Sequence, residues 1–164
     1  MNITIRKAKK EDFESYYRLW YQMEMEHQKR FKGIKKEMLR LNKKYLKENL
    51  KKSFLKIIRR KDDILLMASK DNKVIGLIEF EEVKLKLGIL LLKKQGNIRD
   101  IVVDKKYEGR GIASALKKES DKWFKKNGIK FVTLRYDPDN KHAAKVYKKW
   151  GFVHNMDMMV MKLK

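Results

Sequence analysis

The sequence contains no cysteine and a single proline, Pro138. Without cysteine there is no disulfide, no thiolate nucleophile and no cysteine-ligated zinc or iron–sulfur centre, which suits a reducing cytoplasm. Histidine is almost as scarce. His27, His142 and His154 stand far apart and at no metal-ligand spacing, so they read as ordinary residues and no metal is expected. No long apolar run of the kind that spans a bilayer or serves as a secretory signal is present, and a soluble cytoplasmic protein without a membrane partner is expected. Internal repeats and low-complexity linkers are also missing, which leaves one domain over residues 1–164. Acidic residues are in short supply: 21 against 43 basic ones, for a net charge of +22. Such an excess attracts nucleic acid, an anionic membrane or an anionic small ligand, and it also arises from plain compositional bias toward lysine. Lysine is spread through nearly every segment. The densest stretch, Lys29 to Lys61, holds fifteen Lys/Arg against Glu37 and Glu48.

What the chain does have is an apolar supply of 43%, enough for a core, arranged in readable periods. Asn2 to Arg6 alternates as a short strand. Lys9 to His27 carries Phe13, Tyr16, Leu19, Trp20 and Met23 at three- and four-residue steps, which predicts an amphipathic helix that breaks near Gly33. A second, longer helix is expected from about Lys35 to Arg60. Three strand-like runs follow, Ile64–Ser69, Val74–Val83 and Asn97–Val103. The Lys70-Asp71-Asn72-Lys73 turn joins the first two, and Lys84–Gly96 either extends the hairpin or forms a substrate-side loop. These runs suggest an antiparallel meander.

The central stretch is Val102 to Ala113. A β-branched strand breaks into a charged turn, Gly109 and Gly111 follow, and Ile112, Ala115, Leu116 and Trp123 then recur at helical spacing up to a stop at Gly128. A strand, glycine turn and helix present free N–H groups at the positive end of the helix dipole, where an anion such as phosphate is favoured. The same pattern also serves as an ordinary connection. Ile129–Tyr136 reads as a strand lying parallel to Ile98–Val103, and Asn140–Trp150 as a short helix ending at Gly151. Phe152–Leu163 is expected to return as one or two strands.

Two segments resemble the GNAT superfamily of acyl-CoA-dependent N-acyltransferases. Val103-Asp104-Lys105-Lys106-Tyr107-Glu108-Gly109-Arg110-Gly111-Ile112-Ala113 is similar to that family's pyrophosphate loop, (Arg/Gln)-x-x-Gly-x-(Gly/Ala). Asn140-x-x-Ala143-x-x-x-Tyr147-x-x-x-Gly151-Phe152 matches its C-terminal helix pattern at every position. The element order agrees along the whole chain. Glu108 departs from the pattern by standing where the family has arginine or glutamine, and its charge repels a pyrophosphate unless Arg110 or Lys106 offsets it.

The resemblance implies an α/β (α+β) domain with a mixed, mostly antiparallel sheet of six to seven strands and helices on both faces. It implies acetyl-CoA as co-substrate, with the pantetheine arm bonded along Ile101, Val102 and Val103. The pyrophosphate would sit on the N–H groups running from Glu108, Gly109, Arg110 and Gly111 into Ile112, Ala113 and Ser114. Asn140 would bond the pantetheine or cap its helix. Tyr147 is the candidate general acid for the departing thiolate. For the base, Asp100 is the candidate, since it alternates with Ile98 and Val102 and burial would raise its pKa. A structural partner for Arg99 is the competing role for Asp100, and Glu79, Glu81, Glu24 or Glu26 acting through water are its rivals. The acceptor would be a peptide, polyamine or small amine, and the protein a monomer or homodimer. Two other functions fit the same resemblance: a nucleic-acid or ribosome-associated binding module, suggested by the basic Lys29–Lys61 stretch, and a catalytically silent acyl-CoA sensor.

Overall fold

The computed structural model describes residues 2–39, 41–83 and 94–162. Five strands form one sheet in the order β1-β2-β3-β4-β5: β1 (Thr4–Lys7), β2 (Asp63–Lys70), β3 (Lys73–Val83), β4 (Gln95–Val103) and β5 (Phe131–Leu134). The first four pair antiparallel, and β5 lies parallel to β4. The helices are α1 (Phe13–Arg30), α2 (Ile34–Met38), α3 (Leu46–Ile57), α4 (Ile112–Lys126) and α5 (Lys141–Lys149). Asp71 and Asn72 both take positive φ between β2 and β3, which is the geometry of a two-residue hairpin turn. The crossover from β4 through α4 to β5 is the parallel connection expected from the sequence. Lys84–Gly96 is β4 from Gln95 onward, and its residues 84–93 lie outside the described residues.

Each sheet face carries its own core. On one, Phe13, Tyr16 and Leu19 of α1 meet Phe54 of α3 over Leu65, Met67, Leu77 and Val102, with Phe54 ring centroids 5.6 Å from Phe13 and 5.1 Å from Tyr16. On the other, Ile112, Leu116 and Phe124 of α4 cover Ile78, Phe80 and Ile98. Full burial of each such side chain is worth about 1.5–3 kcal/mol. α4 approaches β4 where that strand has no side chain. A Cβ at Gly96 would fall 2.7–2.9 Å from Phe124 Cδ1 and Cζ, and Phe124 is itself buried. Gly96→Ala is therefore expected to destabilise the fold by about 2 kcal/mol, read as a lower denaturant midpoint at unchanged slope.

Three sequence expectations are corrected. The single helix over Lys35–Arg60 is two, because Asn42 accepts a hydrogen bond from the Lys44 N–H (3.1 Å) in a local turn that competes with helix, and Leu39 leaves helical geometry at φ −111°, ψ 74°. Phe152–Lys162 contains no strand, so the described residues hold five strands rather than six to seven. Met156, Met158 and Val160 would share one face of a strand and Met159 and Met161 the other, so apolar side chains fall on both faces, and Met158 and Met159 remain at least 90% exposed. Finally, Ile98 and Val102 do not share a face with each other. Ile98 pairs with Phe80 and Asp100 with Glu79, leaving Arg99 as the extra residue of a β-bulge. The alternation shifts there, so Asp100 shares the α1 face with Val102 while Ile98 belongs to the α4 face.

Candidate active site

The bulge and the carboxyl end of β4 lie at a notch in the sheet. β5 accompanies β4 only from Gln95↔Phe131 to Ile98↔Leu134 and then leaves it. The Asp104 N–H donates to the Ile75 carbonyl (2.8 Å) on the β3 side, and strand alternation turns the main-chain groups of Val103 and Ile101 the other way, toward the gap. Val102, grouped with them from the sequence, faces Leu77 with its main chain and the α1 core with its side chain.

A polar stripe on α1, spaced four residues apart, fixes this end of β4. Arg18 donates to the Asp104 carboxylate (2.6 Å) and the Val74 carbonyl (2.8 Å). Gln22 donates to the Val103 carbonyl (3.0 Å) and accepts from the Lys105 N–H (3.3 Å), and Glu26 pairs with Lys105 Nζ (2.6 Å). Burial works against the Asp104 charge, but the Lys106 N–H at 3.1 Å and Arg18 outweigh it and hold its pKa below the ordinary carboxylate range. None of the contacts made by α1 is local in sequence. Their only signal is the run of polar residues at positions 18, 22 and 26.

After a single 3-10 turn at Lys105–Tyr107, Gly109 and Gly111 adopt φ of +72° and +79°. Nothing lies within 4 Å of where their Cβ atoms would be, so the backbone conformation, and no crowding within the chain, is what favours glycine at both positions. Among the described residues the N–H groups of Gly109, Arg110, Gly111, Ile112, Ala113 and Ser114 donate to no acceptor. Glu108 is exposed and makes no ion pair among them. Arg110 stacks over the Tyr107 ring at 5.5 Å and does not pair with it.

Asn140 caps α5, accepting from the Ala143 N–H at 3.1 Å. Tyr147 is held in an aromatic cluster, with its ring centroid 5.6 Å from Tyr136, 5.8 Å from Trp150 and 6.1 Å from Phe152. The Trp150 indole N–H reaches Ser114 Oγ (3.4 Å), which fastens α5 to the first turn of α4. Burial, and then the negative charge of Asp100, push the Tyr147 phenol above its ordinary pKa, so it carries its proton at neutral pH.

Asp100 faces α1 beside Glu79, its partner across the ladder. Burial raises its pKa; the charges of His27 and Arg99 oppose that, and Glu24 adds to it. Glu79 is only 4% exposed, and burial, opposed by Arg99, pushes it up to about 7. Arg99 bonds Glu79 (2.6 Å) and Asp63, with Glu81 at 3.8 Å. Both roles weighed for Asp100 thus find neighbours here, but Arg99 pairs with the flanking carboxylates and leaves Asp100 facing the notch.

Comparison with known proteins agrees with this arrangement. The profile of the acetyltransferase (GNAT) family matches residues 14–152. An uncharacterized N-acetyltransferase of Methanocaldococcus jannaschii is 25% identical over 150 residues, 91% of this chain, and the chain spans 60% of that protein's length. Among solved structures, a mutant of the BH1408 protein from Bacillus halodurans superposes with a TM-score of 0.86 at 21% identity, covering 98% of this chain and 99% of that one. A predicted acetyltransferase from Clostridium acetobutylicum, solved with acetyl-CoA, gives 0.75 at 17% identity over 98% and 96%. At these identities the structural likeness concerns the fold.

Proposed function

The chain belongs to the acetyltransferase (GNAT) family, and on that premise we propose that it transfers an acetyl group directly from acetyl-CoA to a primary amine within a ternary complex. The observation that carries the reading is the continuous run of N–H groups from Gly109 to Ser114 with no acceptor among the described residues, set beside the Ile101 main chain and the Val103 N–H, which face away from β3. Gly109, Arg110, Gly111 and Ser114 are exposed, so their N–H groups are open to a pyrophosphate, while the half-buried Ile101 and Val103 offer main-chain groups to the amides of a pantetheine. The acetyl-CoA in the C. acetobutylicum structure is consistent with that ligand.

The transfer has two proton steps. Asp100 takes the proton from the acceptor ammonium, which frees the nitrogen lone pair to attack the thioester carbonyl. Tyr147 gives its proton to the sulfur as the carbon–sulfur bond breaks, and the second proton shed by the attacking nitrogen returns to the phenolate through solvent. The products are the amide and free coenzyme A, with no covalent intermediate on the protein. Asn140, whose Oδ1 is spent on the helix cap, serves mainly to set the start of α5 and with it the position of Tyr147. The binding-module alternative draws less support, since Lys47 and Lys52 of the basic stretch are engaged by Glu14 and Glu48.

Thermal unfolding with and without acetyl-CoA tests the reading. A ligand at about a hundred times its dissociation constant adds roughly 2.7 kcal/mol to stability, and no shift at millimolar acetyl-CoA would refute the cofactor site. The same assay reads Glu108. Removing an exposed, unpaired negative charge beside a pyrophosphate site is expected to tighten acetyl-CoA in Glu108→Gln by about threefold at low salt, with the gain shrinking as ionic strength rises. A weaker or unchanged affinity at low salt would place Glu108 away from the ligand.

A further inference from the structure

A groove of about 470 Å³ lies between α1 and α3. Its walls are largely apolar, with Trp20 on α1, Phe31 and Leu39 beyond its end, and Leu46 on α3. Leu39 is 43% exposed, so this apolar surface is open to a ligand. One charged group, Glu24, lines it. Glu24 stands one helical turn after Trp20 and is oriented by Gln28 Nε2, which donates to it at 2.7 Å. Its charge, with that of His27, acts on the Asp100 carboxyl. The charged end of the groove therefore lies toward the proton acceptor of the proposed reaction.

A surface of net charge +22 repels cations almost everywhere, and this corner is different. Asp63, Glu79 and Glu81 gather around Arg99, with Arg60 also acting on Asp63 and Glu81, while Glu24 lies beside His27 and both act on Asp100, so carboxylates outnumber cations here. A ligand that matches the groove must carry one positive charge at one end and apolar surface along the rest. A polyamine would set its second ammonium against walls that hold the neutral polar groups of Asn42, Asn49 and Ser53 but no second carboxylate. A very short amine would leave those walls wet.

We infer that the acceptor is a primary ammonium borne on an apolar body, with the ammonium at the Glu24–Asp100 end and the body filling the groove between α1 and α3. The inference rests on the acetyl-transfer reading for its choice of reacting group, but amine binding can be measured without turnover. With the full chain saturated in coenzyme A, calorimetry should find 2-phenylethylamine bound at least about tenfold more tightly than ethylamine or 1,4-diaminobutane. Asn49→Trp, at an exposed α3 position lining the groove, should erase that preference while ethylamine binding stays unchanged. Leu39→Ser should reduce it without filling the groove. A leucine-initiated tetrapeptide amide and its serine-initiated counterpart distinguish the two sources of such an amine: a preference for the leucine peptide exceeding that for 2-phenylethylamine assigns a polypeptide amino terminus, and the reverse assigns a small apolar amine. Equal binding of 2-phenylethylamine and ethylamine, or a preference untouched by Asn49→Trp in a folded variant, would overturn the inference. Discriminating binding without acetylation would leave the groove assignment standing and refute the transfer reaction. Acetylation of all these amines at equal kcat/KM would do the opposite.

Discussion

Tyr147→Phe is expected to lower kcat by about a hundredfold or more while leaving acetyl-CoA affinity within about twofold. The phenylalanine ring keeps the aromatic contacts with Tyr136, Trp150 and Phe152, so the packing of α5 survives and the change is confined to one hydroxyl. That hydroxyl forms no hydrogen bond among the described residues, and its removal leaves no partner unsatisfied. What is lost is the proton for the departing thiolate. Burial and the charge of Asp100 keep the phenol protonated to high pH, so wild-type activity should show no alkaline fall attributable to Tyr147 below its ordinary value of 10.0. The measurement is a steady-state comparison at saturating amine, with acetyl-CoA binding determined separately. An unchanged kcat would remove Tyr147 from the reaction and return it to the role of a packed aromatic on α5.

How legible this was in the sequence follows from the range of each interaction. The Asp71–Asn72 turn, the break at Gly33, the glycine turn before α4 and the Asn140 cap each depend on residues within four positions of one another, and local chemistry sufficed to place them. The parallel placement of β5 followed from the handedness and length of a strand–helix–strand crossover. The bulge at Arg99 did not, because nothing in Ile98-Arg99-Asp100 marks an extra residue. Its cause is long-range: Arg99 meets Asp63 and Glu79, from two other strands. The sequence therefore pointed to Asp100 as a half-buried acid on strand alternation that the bulge interrupts, and the residue reaches the notch for a different reason.

The same distinction separates the two halves of the site. The loop and the Tyr147 helix were readable because main-chain conformation dominates one and helical spacing the other. The floor of the site was not. Arg18, Gln22 and Glu26 act on residues 56 to 86 positions away, and from sequence alone they are indistinguishable from any solvated helix face. The acidic corner was equally hidden, since a chain with twice as many basic as acidic residues gives no hint that it folds three carboxylates, Asp63, Glu79 and Glu81, onto Arg99 beside Asp100. The tail shows the converse. Its composition suggested strands, but its apolar residues fall on both faces of such a strand, and the described tail joins no strand of the sheet.

That corner supports the second large effect. Asp100→Asn is expected to lower kcat by about a hundredfold and to abolish the acidic limb of the pH–rate profile. A base must be ionised to act, so the wild-type rate should rise with pH, and burial places that rise above the ordinary aspartate value of 3.8. Glu79 is the rival, and its variant separates the two. If Asp100 is the base, Glu79→Gln should retain the limb and move it to lower pH, since a neighbouring negative charge is gone; if Glu79 acts through water, Glu79→Gln should lose the limb and Asp100→Asn keep it. Stability provides an independent reading of Glu79. Its pKa is raised in the fold from 4.5 to about 7, so between those values the folded state binds more protons than the unfolded one. Stability due to this group is therefore present below 4.5 and is lost as pH climbs through 7, a slope on the order of 3 kcal/mol across the window. Glu79→Gln should flatten that slope and be more stable than the wild type at pH 8, even where its activity falls. A variant that lost activity and stability together at every pH would instead mark Glu79 as a structural partner of Arg99, with Asp100 left as the group that takes the proton.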